Sequence, residues 1–312
     1  MSQPIILDTD PGVDDAMAIL LALASPELEV LGLTTVFGNS DNLVQLTRNA
    51  LALAELAGRP DIPVAAGSAH PLTARYRGKA HNVHGENALG NVTLPEPRHR
   101  PDPRWAPQFI VDQCRARPGE ITLVAVGPLT NLALALRIEP ELAQWAPKVA
   151  IMGGAAKGPG NATPVAEFNI LADPEAAKVV FGAGWEILLA GLDVTRQLLV
   201  AEPWLEAMLG LGNRCGRFLH DSAQHYLAFY RSRGMAGMAM HDVHALMPLL
   251  RPDLYARERV FVDVETKGEL TRGMTVADWR NVLERPAQTE VLLSVEETGF
   301  LAEYQERIGR LP

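Results

Sequence analysis

The sequence predicts an α/β fold, built on an open, mainly parallel sheet flanked by helices, with extra helices in the C-terminal third. Three observations lead there. Strand-like apolar runs alternate with helical ones through the first two-thirds of the chain. Acids, amides and glycines collect just after the strand-like runs, where open parallel sheets bind their ligands. No linker-like composition divides the 312 residues, so 1–312 reads as one domain. The expected architecture is Rossmann-like.

The first strand is expected over 4–8, where Ile5, Ile6 and Leu7 run into Asp8. Pro11-Gly12 then forces a turn, and Asp14-Asp15 open a strongly apolar helix expected over 15–24. Strand 30–36, helix 43–57 and a short strand near 63–64 follow. Residues 67–104, rich in Gly, Pro, His and Arg, read as irregular. Helix 106–116, strand 121–126, helix 130–138, strand 149–152, helix 174–181 and strand 186–190 continue the alternation, which implies βαβ units. The last third reads as helices 201–211, 215–233 and 242–250, strands 259–264 and 290–295, and a terminal helix near 297–308. Asp173-Pro174 suits an N-cap and first helical residue, a structural role.

Composition excludes several classes of function. Apolar residues make up 47% of the chain, enough for a large core, and the formal charge is -9 with no basic run. That balance argues against nucleic acid as a partner. The most apolar stretches, 16–24 and 121–136, are too short or too broken by Gly and Pro to span a bilayer. No basic segment followed by an apolar one precedes the first strand, so no export signal is expected. Cys114 and Cys215 cannot form a disulfide framework and are expected reduced, in a cytoplasmic protein.

The acids at the first strand end are the sharpest chemical signal. Asp8, Asp10, Asp14 and Asp15 fall within one turn's reach, and no Lys, Arg or His appears before Arg48. Singly, Asp8 and Asp14 suit a turn and an N-cap. Together they repel, and a cation or a distant part of the chain must neutralise them. The same rim should gather Asn39 after Val36, Gly127 after Val126, Gly153-Gly154 after Met152 and Asp193 after Ala190. Asn161, Glu167 and Asn169 offer a carboxylate and two amides, a set that suits the hydroxyls of a sugar, although water-facing loop residues look the same. His241 stands beside Asp242 near the start of a late helix. Asp242 could serve as a metal ligand there and His241 as a proton donor.

The run Asp8-Thr9-Asp10-Pro11-Gly12-Val13-Asp14-Asp15-Ala16 is followed in order by Gly38-Asn39, Gly153-Gly154, Ala166-Glu167-Phe168-Asn169 and His241-Asp242. This pattern resembles the nucleoside N-ribohydrolase family, in its inosine/uridine- or pyrimidine-preferring, His-containing branch. The resemblance implies Ca2+-dependent hydrolysis of the N-glycosidic bond of ribonucleosides to free base and ribose, in nucleoside salvage. It implies Asp10, Asp15, Asp242 and the carbonyl of Val126 as metal ligands, with Asp10 also the base that activates water. Relatives more often carry threonine at that last position, but only its carbonyl is needed. On the same basis Asp14, Asn39, Asn161, Glu167 and Asn169 hold the ribose and His84 the base, and Met152 and Phe168 complete the substrate-binding set. His241 would assist the leaving base. A homotetramer or dimer is implied as well.

Which of His84, Phe168, His225, Tyr226, Phe229, Tyr230 and His241 face the base depends on the register of the helix near 224–231. Two rivals remain at this level. Asp8-Thr9-Asp10 has the form of an Asp-x-Asp phosphatase nucleophile, but of Lys79, Lys148, Lys157, Lys178 and Lys267 only Lys157 falls near the rim. A non-catalytic nucleoside-binding protein would keep the ribose residues without a water base. Gly153-Gly154, Gly158 and Gly160 lack the spacing of a dinucleotide-binding turn.

Overall fold

The computed structural model describes residues 2–74 and 80–312; Met1 and residues 75–79, with Lys79 among them, lie outside the described residues. Its centre is an eight-stranded sheet. Six strands take the order β3-β2-β1-β4-β5-β6: β1 Gln3–Thr9, β2 Leu28–Thr35, β3 Val64–Ala66, β4 Thr122–Ala125, β5 Lys148–Met152 and β6 Glu186–Ala190. The Thr289–Val295 strand joins β6 in parallel, and Tyr255–Val260 closes the edge antiparallel to it. The order reverses direction between β1 and β4, and in doubly wound sheets that reversal opens the crevice where ligands bind.

Alternation along the central strands builds two cores. Ile5 and Leu7 of β1, Val124 of β4 and Ala150 of β5 pack into one, while Ile6, Leu123, Ala125 and Ile151 pack into the other. Side chains two apart share a face, so an unbroken apolar strand fills both sides of the sheet. The helix Val13–Ala24 is buried along its whole length, which accounts for its apolar sequence all round. Both cysteines are free and buried. Among the described residues, no helix is long and apolar enough to cross a membrane.

Most expected elements stand within one or two residues of their expected bounds, and helices Ala106–Ala116, Thr130–Ile138 and Pro174–Phe181 match them. Asp173 caps the last of these, accepting from Ala176 N–H at 3.1 Å. The strand expected over 259–264 is instead two. Tyr255–Val260 ends because the Gln288 side chain takes both the N–H and the carbonyl of Val262. Val262–Val264 then pairs with Thr275–Ala277 in a separate ribbon. Short helices at His81–His84, Phe168–Ala172 and Leu192–Thr195 were not expected, since one turn of helix carries no readable periodicity.

Candidate active site

Asp10 leaves the tip of β1, and Gly12 begins the helix that carries Asp14 and Asp15 in its first turn. Asp15 is fixed by four donors: Thr9 Oγ1 and Asp10 N–H reach Oδ1, while Gly12 N–H and Asn39 Nδ2 each reach Oδ2 at 2.9 Å. Asp10 Oδ2 accepts the Asn39 N–H at 2.7 Å. Room for that carboxylate depends on glycine, because a Cβ on Gly38 would lie 2.0 Å from Asp10 Oδ2 and one on Gly127 2.5 Å from Oδ1. Asp242 arrives from the other end of the chain at the N-cap of the Val243–Leu250 helix, where its side chain makes no capping bond. It is therefore free to face the other acids.

All four carboxylates are buried, and burial pushes each one's pKa upward, Asp14 to about 8. Repulsion from Asp15 adds to the rise at Asp10 and Asp14, and repulsion from Asp14, Asp15 and Asp10 adds to that at Asp242. No Lys or Arg among the described residues forms an ion pair with them. His84 Nδ1 lies 3.8 Å from Asp14 Oδ1, but burial lowers its pKa to about 3 and leaves it neutral. Asp14, Asp15 and Asp242 each offer an oxygen within 4.8 Å of the others, a group that could hold a metal ion. Asp10 stands beside this trio rather than within it. The Val126 carbonyl lines the same cavity and accepts from Asn169 Nδ2 at 2.8 Å. An oxygen-only, anionic and otherwise uncompensated donor set fits a hard divalent cation.

The acids open onto a cavity of about 500 Å³. Every residue that the family resemblance assigned to metal, sugar or base lines it, including Asn39, Met152, Asn161, Phe168 and His241. Glu167 caps the Phe168–Ala172 helix, its carboxylate accepting the N–H groups of Gly154, Asn169 and Ile170 at 2.9, 2.9 and 3.2 Å. Burial nevertheless raises its pKa. Asp8 does not line the cavity. Its Oδ1 accepts from Thr34 Oγ1 and Asn131 Nδ2 at 2.6 and 2.7 Å, tying β1 to β2 and to the Thr130–Ile138 helix. The nucleophile of the Asp-x-Asp alternative is thus buried under the site, and Lys157 lies over the Trp279 ring instead of in the cavity.

The register of the helix Arg214–Ser232 decides which of its side chains reach the cavity. Tyr226, Phe229 and Tyr230 line the cavity, whereas His225 meets the carbonyl of His81 at 3.3 Å and His220 bonds Asp221. The Tyr226 ring stacks on His84, with centroids 5.2 Å apart. His84 Nδ1 accepts the Val13 N–H at 3.2 Å, so its remaining proton sits on Nε2 as a donor. The Tyr226 hydroxyl donates to Asp14 Oδ2 at 3.2 Å and meets the Tyr230 hydroxyl at 3.3 Å. Both ring nitrogens of His241 are engaged, Nε2 with Tyr230 and Nδ1 with Thr195 Oγ1, each at 2.7 Å. Burial, with Arg196 adding to it, lowers the His241 pKa to about 4. Arg196, Arg233, Met235 and Thr195 escaped sequence reasoning, and no motif or spacing marks them.

A parallel sheet with buried acids at its switch point, set against an aromatic and histidine-bearing pocket, defines the class: an α/β protein that takes a small polar ligand at the strand ends. Comparison with known proteins makes the class specific. The family profile described as inosine-uridine preferring nucleoside hydrolase matches residues 5–302. The chain is 42% identical over 315 residues to the inosine-uridine preferring nucleoside hydrolase of Crithidia fasciculata, covering 99% of each. It is 45% identical over 303 residues to the non-specific ribonucleoside hydrolase RihC of Escherichia coli, covering 96% of each. Among solved structures, a purine-preferring ribonucleoside hydrolase from Gardnerella vaginalis superimposes with a TM-score of 0.94 at 33% identity, covering 98% of each chain. The chain belongs to the inosine-uridine preferring nucleoside hydrolase family.

Proposed function

We propose that the chain is a Ca2+-dependent N-ribohydrolase that cleaves ribonucleosides to free base and ribose, releasing bases for salvage. The observation that carries the reading is the buried group of Asp10, Asp14, Asp15 and Asp242, which no Lys or Arg among the described residues neutralises and which opens onto a nucleoside-sized cavity. Asp15 and Asp242 would hold the ion together with Asp10 and the Val126 carbonyl from the same cavity wall, and Asp14, which groups with Asp15 and Asp242, is close enough to share it. When bound, Ca2+ would supply a positive centre for ribose hydroxyls and for lowering the pKa of a nearby water.

The remaining chemistry falls to side chains. Asp10, aimed by the Asn39 N–H, takes a proton from the attacking water. Asn161, Asn169, Asn39 and Glu167 bind sugar hydroxyls, and Met152 and Phe168 pack against the nucleoside. Breaking the N-glycosidic bond develops positive charge on the ring, as in other glycoside hydrolyses. Glu167 and Asp14 stabilise that charge as acceptors held in place before the reaction. His84 offers its Nε2–H to the base, and the Tyr230–His241 pair delivers a proton to it as it departs.

The test is ribose release from uridine, cytidine, inosine and adenosine by the chelated protein, before and after Ca2+ is restored. The expected result is Ca2+-dependent release from at least one of them, with one Ca2+ per chain by elemental analysis. Stoichiometric zinc would overturn the metal assignment, since the site has no Cys ligand and its neighbouring His is bonded elsewhere. The dimer or tetramer belongs to the same reading and is checked by light scattering.

A further inference from the structure

The segment that leads from β5 to Asn161 reads Gly153-Gly154-Ala155-Ala156-Lys157-Gly158-Pro159-Gly160. Lys157, Gly158 and Pro159 are exposed, and glycine gives such a chain little conformational preference of its own. It is held all the same, chiefly by two side chains from one turn that follows β6. The Asp193 carboxylate accepts three successive backbone N–H groups: Ala156 at 2.7 Å, Lys157 at 2.8 Å and Gly158 at 2.9 Å. The Arg196 guanidinium donates to the next two carbonyls, Pro159 at 3.0 Å and Gly160 at 2.9 Å. Trp279 Nε1 donates to the Ala156 carbonyl at 3.1 Å. Gly191 lets the carboxylate approach, because a Cβ there would lie 2.9 Å from Asp193 Oδ2.

Two opposite charges in one short turn thus satisfy the backbone of 156–160, and the residue that follows is Asn161, on the cavity. Downstream, Asn161 is anchored by its own N–H, which donates to the Ala166 carbonyl at 3.2 Å, and by its Oδ1, which accepts the Phe168 N–H at 2.9 Å; upstream, its backbone is placed by the 156–160 loop. We propose that Asp193 and Arg196 are positioning residues for the reaction, fixing the 156–160 loop so that Asn161 meets the ribose. Asp193 does not line the cavity, and its carboxylate bonds to the loop N–H groups of 156–158, so the loop is the direct route by which it acts on sugar binding. Arg196 does line it, which makes Asp193 the cleaner probe. The inference rests on the ribose role proposed above for Asn161.

The experiment is a double-mutant cycle on the full-length, Ca2+-loaded protein with uridine, comparing wild type, Asp193→Ala, Asn161→Ala and the double variant. Asp193→Ala is expected to lower kcat/KM about tenfold, divided between KM and kcat as in Asn161→Ala, with Tm within about 2 °C of wild type. The double variant should be no more than about twofold worse than Asn161→Ala alone, because the two residues act in series. Losses that multiply, or an Asp193→Ala enzyme with wild-type kinetics beside an impaired Asn161→Ala, overturn the clamp and leave the ribose role standing. A silent Asn161→Ala overturns the ribose role and the clamp with it. If Asp193→Ala fails to fold, Asp193→Asn, which keeps one acceptor oxygen, should show a partial loss of the same kind. Wild-type kinetics in that variant overturn the proposal.

Discussion

The Tyr230 hydroxyl lies 2.7 Å from Nε2 of His241, whose other nitrogen meets Thr195 Oγ1. A ring with a pKa near 4 is neutral at physiological pH, so no standing imidazolium waits for the departing base. If Thr195 donates to Nδ1, His241 carries its proton on Nε2 and donates to Tyr230, whose own proton, directed at the Tyr226 hydroxyl 3.3 Å away, can turn to a base in the cavity. Tyr230→Phe and His241→Ala should each lower kcat on uridine by roughly 10² to 10⁴, the range of general acid catalysis. Both should leave p-nitrophenyl riboside nearly untouched, since its leaving group needs no proton. Equal losses on the two substrates would move the pair to a structural role, holding Asp242 beside the other acids.

Asp10 is expected to be the least replaceable side chain. It joins the charge of the acid cluster to the role of water base, and Gly38 and Gly127 are shaped around its carboxylate. Asp10→Ala should reduce turnover of uridine by at least about 10³-fold, both because the base is lost and because cation binding weakens. Residual activity within about tenfold of wild type, a barrier change of about 1.4 kcal/mol, would remove Asp10 from the chemistry.

The acid cluster was legible because three of its members sit within six residues of one another at a strand end, Asp10 to Asp15. Alternating elements gave the parallel sheet for the same local reason. The aromatic side of the pocket was not legible. Tyr226 and His225 are neighbours in sequence and differ only in helical register, which apolar periodicity leaves ambiguous at the mouth of a cavity. Asp193 could be placed at the rim but not aimed, because its partners are backbone groups some 35 to 37 residues away. The break in the 259–264 strand depends on Gln288, another distant side chain. Asp8 looked like part of the site and proved to be a tie between strands, a distinction that only its bonds to Thr34 and Asn131 reveal.

Removing the cation should expose the acid cluster to pH. Burial first, and repulsion from Asp15 second, raise the Asp14 pKa from 3.8 to about 8. An acid whose folded-state pKa is raised keeps its proton longer in the folded chain than in the unfolded one. Its contribution is fully present below about pH 4 and is lost as pH rises through about 8. The chelated protein should therefore lose Tm steadily as pH is raised from roughly 5 to 8, and the gain in Tm on adding Ca2+ should grow over the same interval. Differential scanning calorimetry at several pH values measures both. A chelated protein whose Tm is flat or rising across that range would show that the cluster is neutralised by some other means.

Sugar recognition supplies the last prediction. Asn39, Glu167 and Asn169 are buried, and each already holds backbone or side-chain partners that fix its orientation before any ligand arrives. Groups fixed in this way cannot turn to find new partners when a hydroxyl is missing. A site built to bond a hydroxyl rejects the analogue that lacks it far more strongly than an apolar pocket rejects a missing methylene. With the cation also expected on the vicinal hydroxyls, 2'-deoxyuridine should show a kcat/KM at least about 10³-fold below that of uridine. Comparable kcat/KM for the two nucleosides would mean that neither the amides nor the acid cluster reads the 2'-hydroxyl, and the ribose assignment would fall with it.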